Sequence, residues 1–315
     1  MVHIVLIGLG AGIAAALLFV SVASGSMLSV LLFCLSPLPI LIAALGWSHW
    51  AGLIAAFSAA GGLAFVLGSV GLAVFLVGVG LPAWWLGYLA LLARPSPNPD
   101  GRDWYPAGRL ILWAALIGFL IVLAGVSTLG LDKRSFQSAL ATVFETALRQ
   151  QLPSETSDAD IHRAADVLVV TAPAAAAGFA TLVYSFNLWL AGRIVAVSGR
   201  LSRPWPDLSQ LAFPPVTPGF LAGAIAGSLL PDLLGIMSGA LAASLLLAYS
   251  LLGLAVLHAI TRSIGGRAFV LAGTYSAVII LGWPALFMSF LGLADALFDL
   301  RGRVGGRRAP PSAPS

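Results

Sequence analysis

The chain has 315 residues, of which 59% are hydrophobic and only 9% are charged. Soluble domains carry roughly 25% charged residues, so this composition excludes an ordinary soluble protein and indicates an integral membrane protein. The net charge of +4 does not indicate nucleic-acid binding, because the arginines fall in short loops and a tail rather than in a patch interleaved with aromatic residues. The single cysteine, Cys34, excludes a disulfide framework and favours a small buried side chain.

Apolar stretches separated by polar residues predict an all-α fold, a polytopic helical membrane bundle with nine to ten membrane segments. The first stretch has no basic segment before it, and a second apolar run follows at once. We therefore expect a retained first helix rather than a signal peptide. The predicted segments are residues 4–24, 27–46, 49–67, 70–93, 109–131, 165–192, 217–231, 233–261 and 268–298.

The stretch 268–298 is long for one span and contains the helix-breaking sequence Gly282-Trp283-Pro284. It is therefore either one segment or two short ones. Arginines follow the fourth, sixth and eighth segments and occur again in the tail. All of them lie on one side of the membrane only if residues 268–298 return to the side on which they start. The positive-inside rule thus favours ten segments, with both termini in the cytoplasm.

We expect a single helical membrane domain over residues 1–300. Its one sizeable polar stretch, residues 132–163, is predicted to be external. Phe136, Leu140 and Phe144 lie on one face of the first half of this stretch at helical spacing. The pattern predicts an amphipathic helix that either lies on the outer surface or forms a lid over a cavity.

Local signals set the ends of this external helix. Pro153 is expected to end it, and Ser157 with Asp160 forms a capping box that opens the sixth segment. The tail, residues 301–315, is rich in Gly, Arg, Pro and Ser and is predicted to be disordered in the cytoplasm.

The most informative local sequence is LSPLPILIAALGW, residues 35–47. Pro37 and Pro39 lack the N–H groups that a helix needs, so carbonyl groups one turn earlier must find other partners away from lipid. Ser36 and the two prolines fall near mid-depth of the second segment, where unwound helices line binding sites in many transporters. The alternative is a packed kink with no ligand.

Polar side chains inside membrane segments are few, and such groups usually face the bundle interior. Asn187 lies six residues before Arg193, and His258 lies four residues before Arg262. With the tail in the cytoplasm, Asp295 lies at a similar depth. A contact between these three groups predicts a ligand or proton site, or else a structural pin between helices. In the nine-segment alternative Asp295 is on the other side and the cluster does not exist.

Glycines at four-residue spacing predict close helix packing, because association in lipid depends on small residues at the contact. Static packing is the expected role, and a sliding gate is the alternative. The patterned glycines are Gly8 with Gly12, Gly219 with Gly223 and Gly227, and Gly235 with Gly239.

No enzyme signature is present in the sequence: it has no phosphate-binding loop, no zinc-protease motif and no serine-hydrolase motif. The four histidines are scattered over different depths, so neither a metal nor another cofactor is expected. The expected partners are the lipid bilayer and unknown proteins. ATP coupling would require a separate energising subunit, since no ATP-binding motif is present.

Four short motifs carry a family resemblance, and together they are spread over most of the chain. In chain order they are SPLPILIAALGW, WYPAGRL, YSFNLW and LGLADALFDLR. With these motifs the chain resembles the YybS-like family of uncharacterised polytopic inner-membrane proteins of bacteria. That family is similar in general style to the substrate-capture subunits of energy-coupling vitamin transporters, which implies ligand binding within the membrane.

Two functional hypotheses follow. In the first, the protein is a small-solute permease or a substrate-binding membrane subunit, with Ser36, the Pro37/Pro39 break and Asn187 lining its cavity. In the second, it is a non-transporting envelope-assembly scaffold that binds protein partners. The first hypothesis requires a polar cavity at mid-depth that water can reach. Solid packing at mid-depth favours the second.

Overall fold

The computed structural model describes residues 1–96, 101–130, 132–153, 156–262 and 264–306. Its elements form two compact units: unit one contains residues 1–117 and 180–206, and unit two contains residues 118–179 and those from 207 onward. The elements are α1 (Val2–Val20), α2 (Met27–Cys34), α3 (Pro37–Gly46), α4 (His49–Phe75), α5 (Leu81–Ala90), β1 (Ala93–Pro95), β2 (Arg102–Trp104), α6 (Ala107–Leu129), α7 (Lys133–Gln151), α8 (Asp158–Val197), α9 (Thr217–Gly227), α10 (Asp232–Ile260), α11 (Arg267–Leu281), α12 (Pro284–Phe298) and α13 (Leu300–Gly306).

In the described part of the chain, six helical runs are long and apolar enough to cross a membrane. The helices α11 and α12 are apolar but shorter. Apart from the small β1–β2 hairpin, the described elements are helical, so the prediction of an all-α polytopic membrane bundle is confirmed. The six runs are Val2–Ser24, Met27–Gly46, His49–Ala90, Ala107–Leu129, Asp158–Val197 and Asp232–Ile260.

The run His49–Ala90 accounts for two predicted segments, because it folds back on itself at Gly68. This residue has φ 71° and ψ −167°, a conformation that glycine adopts without the cost imposed by a Cβ atom. A Cβ atom built on Gly80 would lie 3.1 Å from the Ala56 side chain, on the other side of the turn. The two arms are therefore antiparallel, as separate segments 49–67 and 70–93 require.

Helix α1 packs on α4 through the two glycines that the sequence singled out. A Cβ atom on Gly8 would lie 2.9 Å from the Ala51 carbonyl oxygen, and one on Gly12 would lie 2.7 Å from the Ala55 carbonyl oxygen. Both distances are shorter than a normal carbon–oxygen contact. The backbones of α1 and α4 therefore touch directly, which is the static packing predicted for this pair.

In unit two, α7 has the predicted boundaries. It begins after Asp132, whose carboxylate accepts a hydrogen bond from the Ser135 backbone N–H at 3.0 Å, and it ends before Pro153. The Ser157 hydroxyl accepts a bond from the Asp160 N–H at 3.2 Å, so the predicted capping box opens α8. The helix α8 thus begins inside the stretch predicted to be external.

Two ion pairs hold α7 against the start of α8. Arg149 binds Asp158 at 2.7 Å, and the Glu145 carboxylate lies 2.8 Å from a ring nitrogen of His162. These four side chains are partly or largely exposed, so each pair is expected to contribute less than about 1 kcal/mol. They fix the register of the two helices more than they stabilise the fold.

The seventh predicted segment, residues 217–231, needs correction. Its helix, α9, has only 11 residues, whereas a helical span needs about 20. The chain reaches α9 in a non-helical form, with the Phe213 ring 5.2 Å from the Tyr249 ring in the middle of α10. At the far end of α9, a Cβ atom on Gly227 would lie 2.9 Å from the Ser238 Cβ atom. The segment therefore runs antiparallel to α10 as non-helical chain followed by a short helix.

The glycine prediction holds at Gly227, which packs on Ser238, but it is wrong at Gly219 and Gly223. A Cβ atom on Gly219 or Gly223 would meet no neighbouring atom within 4 Å in the described structure. The buried residues of α9 are Thr217, Leu221 and Ala224, which lie on a different face. Four-residue spacing identifies residues on one face but does not show which face is buried.

Helices α10 and α12 are parallel. The Ser289 hydroxyl donates to the Leu246 carbonyl at 2.7 Å. Further along both helices, a Cβ atom on Gly292 would lie 2.8 Å from the Gly253 backbone nitrogen. Since contacts advance in the same direction on both helices, α10 and α12 end on the same side.

The C-terminal ends of these two helices meet at Ser209. Arg262 donates to the Ser209 hydroxyl at 2.6 Å, and Arg301 donates to the Ser209 carbonyl at 2.7 Å. Between them, α11 carries the chain away and Gly282, with φ 72°, separates it from α12. The stretch 268–298 therefore forms two short helices and returns to its starting side, as the ten-segment interpretation requires.

The disorder predicted from residue 301 onward is wrong for its first residues. Residues up to Gly306 belong to the short helix α13. Its start is fixed by Asp299, whose carboxylate accepts a hydrogen bond from the Gly302 N–H at 3.2 Å. The rest of the predicted tail, residues 307–315, lies outside the described residues.

Candidate functional site

The break in the second segment lies where the sequence places it. Helix α2 ends at Cys34 and α3 begins at Pro37, so Leu35 and Ser36 form a turn between them. Pro37 has no N–H for the Phe33 carbonyl, which instead accepts a bond from the Ser36 N–H at 3.0 Å. The tighter turn satisfies this carbonyl locally.

Pro39 leaves a second gap in the hydrogen-bond ladder. The Leu35 carbonyl, which Pro39 cannot reach, accepts a bond from the Leu38 N–H at 2.9 Å. In a regular helix, the Leu38 N–H would donate to the Cys34 carbonyl instead. The Cys34 carbonyl is therefore the group that the break leaves without a backbone donor.

Asn187 on α8 supplies the missing donor. Its side-chain nitrogen donates to the Cys34 carbonyl at 2.8 Å and to the Val183 carbonyl of its own helix, also at 2.8 Å. Its side-chain oxygen is buried and has no hydrogen-bond partner in the described structure. The structure thus brings together Asn187 and the Pro37/Pro39 break, which lie far apart in the sequence.

The break is packed solid. Ser36 and Asn187 are each 1% exposed, Pro37 is buried and Pro39 is half-buried. A side chain with this little accessible surface borders no space large enough for a water molecule, whether at the surface or inside. The predicted cavity at this point is therefore not open in this structure, and the four residues form a packed kink.

A second irregular backbone, not predicted from the sequence, is held in the same way. The π-helical turn Leu76–Gly80 joins α4 to α5, and the Tyr184 hydroxyl donates to its Gly78 carbonyl. Tyr184 is 2% exposed and lies one turn before Asn187 on α8. The signal was present in the motif YSFNLW, which places both donors on one helix face.

The predicted contact between His258 and Asp295 is not formed. His258 interacts instead with the Tyr275 hydroxyl at 3.0 Å and with Arg267 at 3.4 Å. Asp295 binds Arg301, with contacts of 3.0 and 2.6 Å to the guanidinium group. The arginine that follows in sequence is a charged donor, so it outcompetes an imidazole for the carboxylate. The three-residue cluster is wrong as predicted, and Asn187 belongs to unit one rather than unit two.

The Asp295–Arg301 pair is part of a buried clasp. The Asp295 side chain is 2% exposed, and that of Arg301 is 19% exposed. The Arg301 N–H also donates to Asp295 at 3.1 Å, and the guanidinium reaches the Ser209 carbonyl. The clasp ties α12 and α13 to the loop before α9.

Metal binding has no support among the described residues, since no three His, Cys, Asp or Glu side chains lie close enough together to hold an ion. The side-chain donors at the two irregular segments are the Asn187 amide at the break and the Tyr184 phenol at the π-turn. Both donate to backbone carbonyls.

Replacing Asn187 by leucine, which has a similar volume, is expected to lower the free energy of unfolding by about 1–3 kcal/mol. The variant leaves the Cys34 carbonyl buried without a donor. Unfolding in detergent, followed by tryptophan fluorescence, measures the change. Ser185→Ala on the same helix is the matched control, because the Ser185 hydroxyl has no partner in the described structure. Equal stability of the two variants would contradict the pin.

Comparisons with known proteins bear on the family. Residues 12–296 match the model of the DUF2232 family, which is described as a predicted membrane protein family. No curated protein and no solved structure matches the chain. The narrower YybS-like resemblance stays a prediction. Since the match covers most of the chain, this multi-pass membrane protein belongs to the DUF2232 family.

Proposed function

We propose that this protein is a non-transporting scaffold of the bacterial inner membrane that binds protein partners and catalyses no reaction. The observation that carries the proposal is the closed state of the helix break. Every freed carbonyl described above has a donor within the protein, and neither Ser36 nor Asn187 meets water.

The two pins on α8 strengthen this proposal. Asn187 holds the α2–α3 break, and Tyr184 holds the π-turn between α4 and α5. Transport by alternating access requires one group of helices to rock against another. Movement of α8 away from either segment would leave carbonyl groups unpaired in hydrocarbon, at a cost of several kcal/mol each. The arrangement favours a rigid bundle.

The outer helix α7 is the surface proposed for partner binding. Its apolar face is only partly covered: Phe136 is buried, but Val143 is 53% exposed. The polar face carries charged residues, and two ion pairs hold the helix on α8. A partner outside the membrane would meet a preformed amphipathic helix rather than a disordered segment.

One observation favours the permease hypothesis instead. The chain before α9 is non-helical beside Tyr249, and Tyr249 is fully buried with a hydroxyl that has no hydrogen-bond partner in the described structure. Half-helices with extended lead-ins form substrate sites in several transporters. This second candidate places the site at Thr217 and Tyr249 rather than at Ser36 and Asn187.

Cysteine accessibility tests both candidates. Single cysteines are introduced in a Cys34→Ala background, as Ser36→Cys or Thr217→Cys. Membrane vesicles containing each variant are treated with a charged methanethiosulfonate reagent, and mass spectrometry measures the fraction of labelled protein. The scaffold predicts no labelling of either cysteine before unfolding. Ser198→Cys, in the exposed turn after α8, is the matched control and is expected to react fully.

Long incubation makes the test sensitive to rare openings of a transporter. Labelling at Ser36→Cys would overturn the scaffold and restore the predicted cavity. Labelling at Thr217→Cys alone would favour the second candidate. Gel filtration of each variant confirms that absent labelling reflects a folded protein.

A further inference from the structure

Unit one contains a cavity that lies away from the helix break. It has a volume of about 330 Å³ and is lined by Arg102, Trp104, Ser202 and Pro204. The first two residues belong to β2, and the last two lie in the loop after α8. This volume is near the lower end for ligand pockets, which run from about 300 Å³ upward. The cavity suits a small head group rather than a whole lipid.

The walls of the cavity are held in place by neighbouring contacts. The strands β1 and β2 pair antiparallel, with Arg94 opposite Asp103. On the other wall, Arg203 donates to the Ala90 carbonyl at 3.0 Å and so ties the loop to the end of α5. Because both walls are anchored, the cavity is a preformed feature of the fold.

The lining is rich in hydrogen-bond donors and positive charge. Arg102 presents a guanidinium group, Ser202 a hydroxyl and Trp104 an indole N–H. Arg102 makes no ion pair among the described residues, and its guanidinium lies 6.0 Å from the centre of the Trp104 ring. Donors in this combination match the oxygen atoms of a phosphate group.

Arg203, between Ser202 and Pro204, adds a second observation. Its Nε atom is buried and has no hydrogen-bond partner in the described structure. Burial lowers the pKa of the Arg203 guanidinium below its usual range, because removal from water disfavours the charged form. A nearby anion would offset this cost.

The cavity lies at an end of the membrane helices, where lipid head groups are expected. It is bounded by the ends of three membrane helices, since β1 follows α5, β2 precedes α6, and the loop follows α8. Tryptophans concentrate at that depth, and two of them pair with arginines here. The Arg193 guanidinium lies 4.9 Å from the Trp205 ring centre, and that of Arg200 lies 4.7 Å from the Trp47 ring centre.

We propose that this cavity binds the phosphate head group of an anionic phospholipid. Arg102 supplies the charge, while Ser202 and Trp104 supply further donors. The arginine-rich end of the unit faces the cytoplasm by the positive-inside rule, so the lipid belongs to the inner leaflet. The proposal is independent of the scaffold function.

Native mass spectrometry of the purified protein tests the site. The protein is titrated with phosphatidylglycerol, with phosphatidylcholine and with inorganic phosphate. We expect retention of phosphatidylglycerol in preference to phosphatidylcholine and no comparable binding of inorganic phosphate. Arg102→Gln is expected to weaken phosphatidylglycerol binding about tenfold, through loss of a charged hydrogen bond.

Arg109→Gln is the matched control, because it removes the same charge from the nearby start of α6, where Arg109 is exposed and does not line the cavity. Its binding of phosphatidylglycerol is expected to stay unchanged. An equal loss in both variants would overturn the site in favour of diffuse surface charge. Binding of inorganic phosphate as tight as that of the lipid would overturn the lipid as the ligand.

Discussion

Replacing Asp295 by leucine is expected to lower the free energy of unfolding by about 3 kcal/mol. The substitution leaves the Arg301 guanidinium without its carboxylate, although the Arg301 side chain is only 19% exposed. Removing one member of a buried ion pair costs more than removing both, because the remaining charge keeps its desolvation penalty. Titration with SDS, followed by tryptophan fluorescence, measures the unfolding free energy.

Two further variants separate this ion pair from a general charge effect. The double variant Asp295→Leu/Arg301→Leu is expected to lose less stability than Asp295→Leu alone, because no unpaired charge remains. Asp299→Asn is the control: its carboxylate is exposed, and asparagine tolerates the left-handed conformation with φ 48° found there. If the double variant lost as much unfolding free energy as Asp295→Leu and Arg301→Leu lose together, the two side chains would not be energetically coupled.

The helix break shows how far sequence reasoning reaches. Two prolines within three positions are sufficient to predict that carbonyl groups lose their donors, since this depends only on local covalent structure. Asn187 was a candidate because an amide inside an apolar segment needs a partner. The sequence could not show that neighbouring side chains fill the space around the helix break and Asn187. Packing density depends on the residues that surround both groups, and these come from several helices.

The error over Asp295 has a different cause. The prediction correctly placed Asp295 and His258 near the same end of unit two, because topology and the arginine pattern determine depth. Contact also depends on helix rotation and on competing partners. Arg301 follows Asp295 after the helix ends at Phe298, and the reversal of the chain at Asp299 brings it back onto the carboxylate. A local turn thus overrides the long-range pairing.

The non-helical chain before α9, which contacts Tyr249 through Phe213, was not predicted. Hydropathy detects apolar residues but does not show whether they form a helix. The glycine pattern found the contact of α1 with α4 but missed the contact of α10 with α12. That contact joins Gly253 of α10 to Gly292 of α12, and two glycines on different helices share no sequence periodicity.

Replacing Gly253 by alanine is expected to lower the free energy of unfolding by about 3 kcal/mol, the upper range for added volume in a packed core. The new methyl group would overlap the Met288 carbonyl oxygen, which belongs to the α12 backbone and cannot rotate away. The two helices must separate, and the bond from the Ser289 hydroxyl to the Leu246 carbonyl, 2.7 Å long, would then stretch. Titration with SDS measures the loss.

Gly273→Ala on α11 is the matched control for this substitution, because a Cβ atom there would meet nothing within 4 Å in the described structure. Alanine is a better helix former than glycine by about 1 kcal/mol, so this variant is expected to be neutral or slightly stabilised. The difference between the two variants isolates the α10–α12 contact from helix propensity. Equal stability of both would mean that α12 does not pack closely on α10, and the parallel arrangement that returns the chain to its starting side would lose its main support.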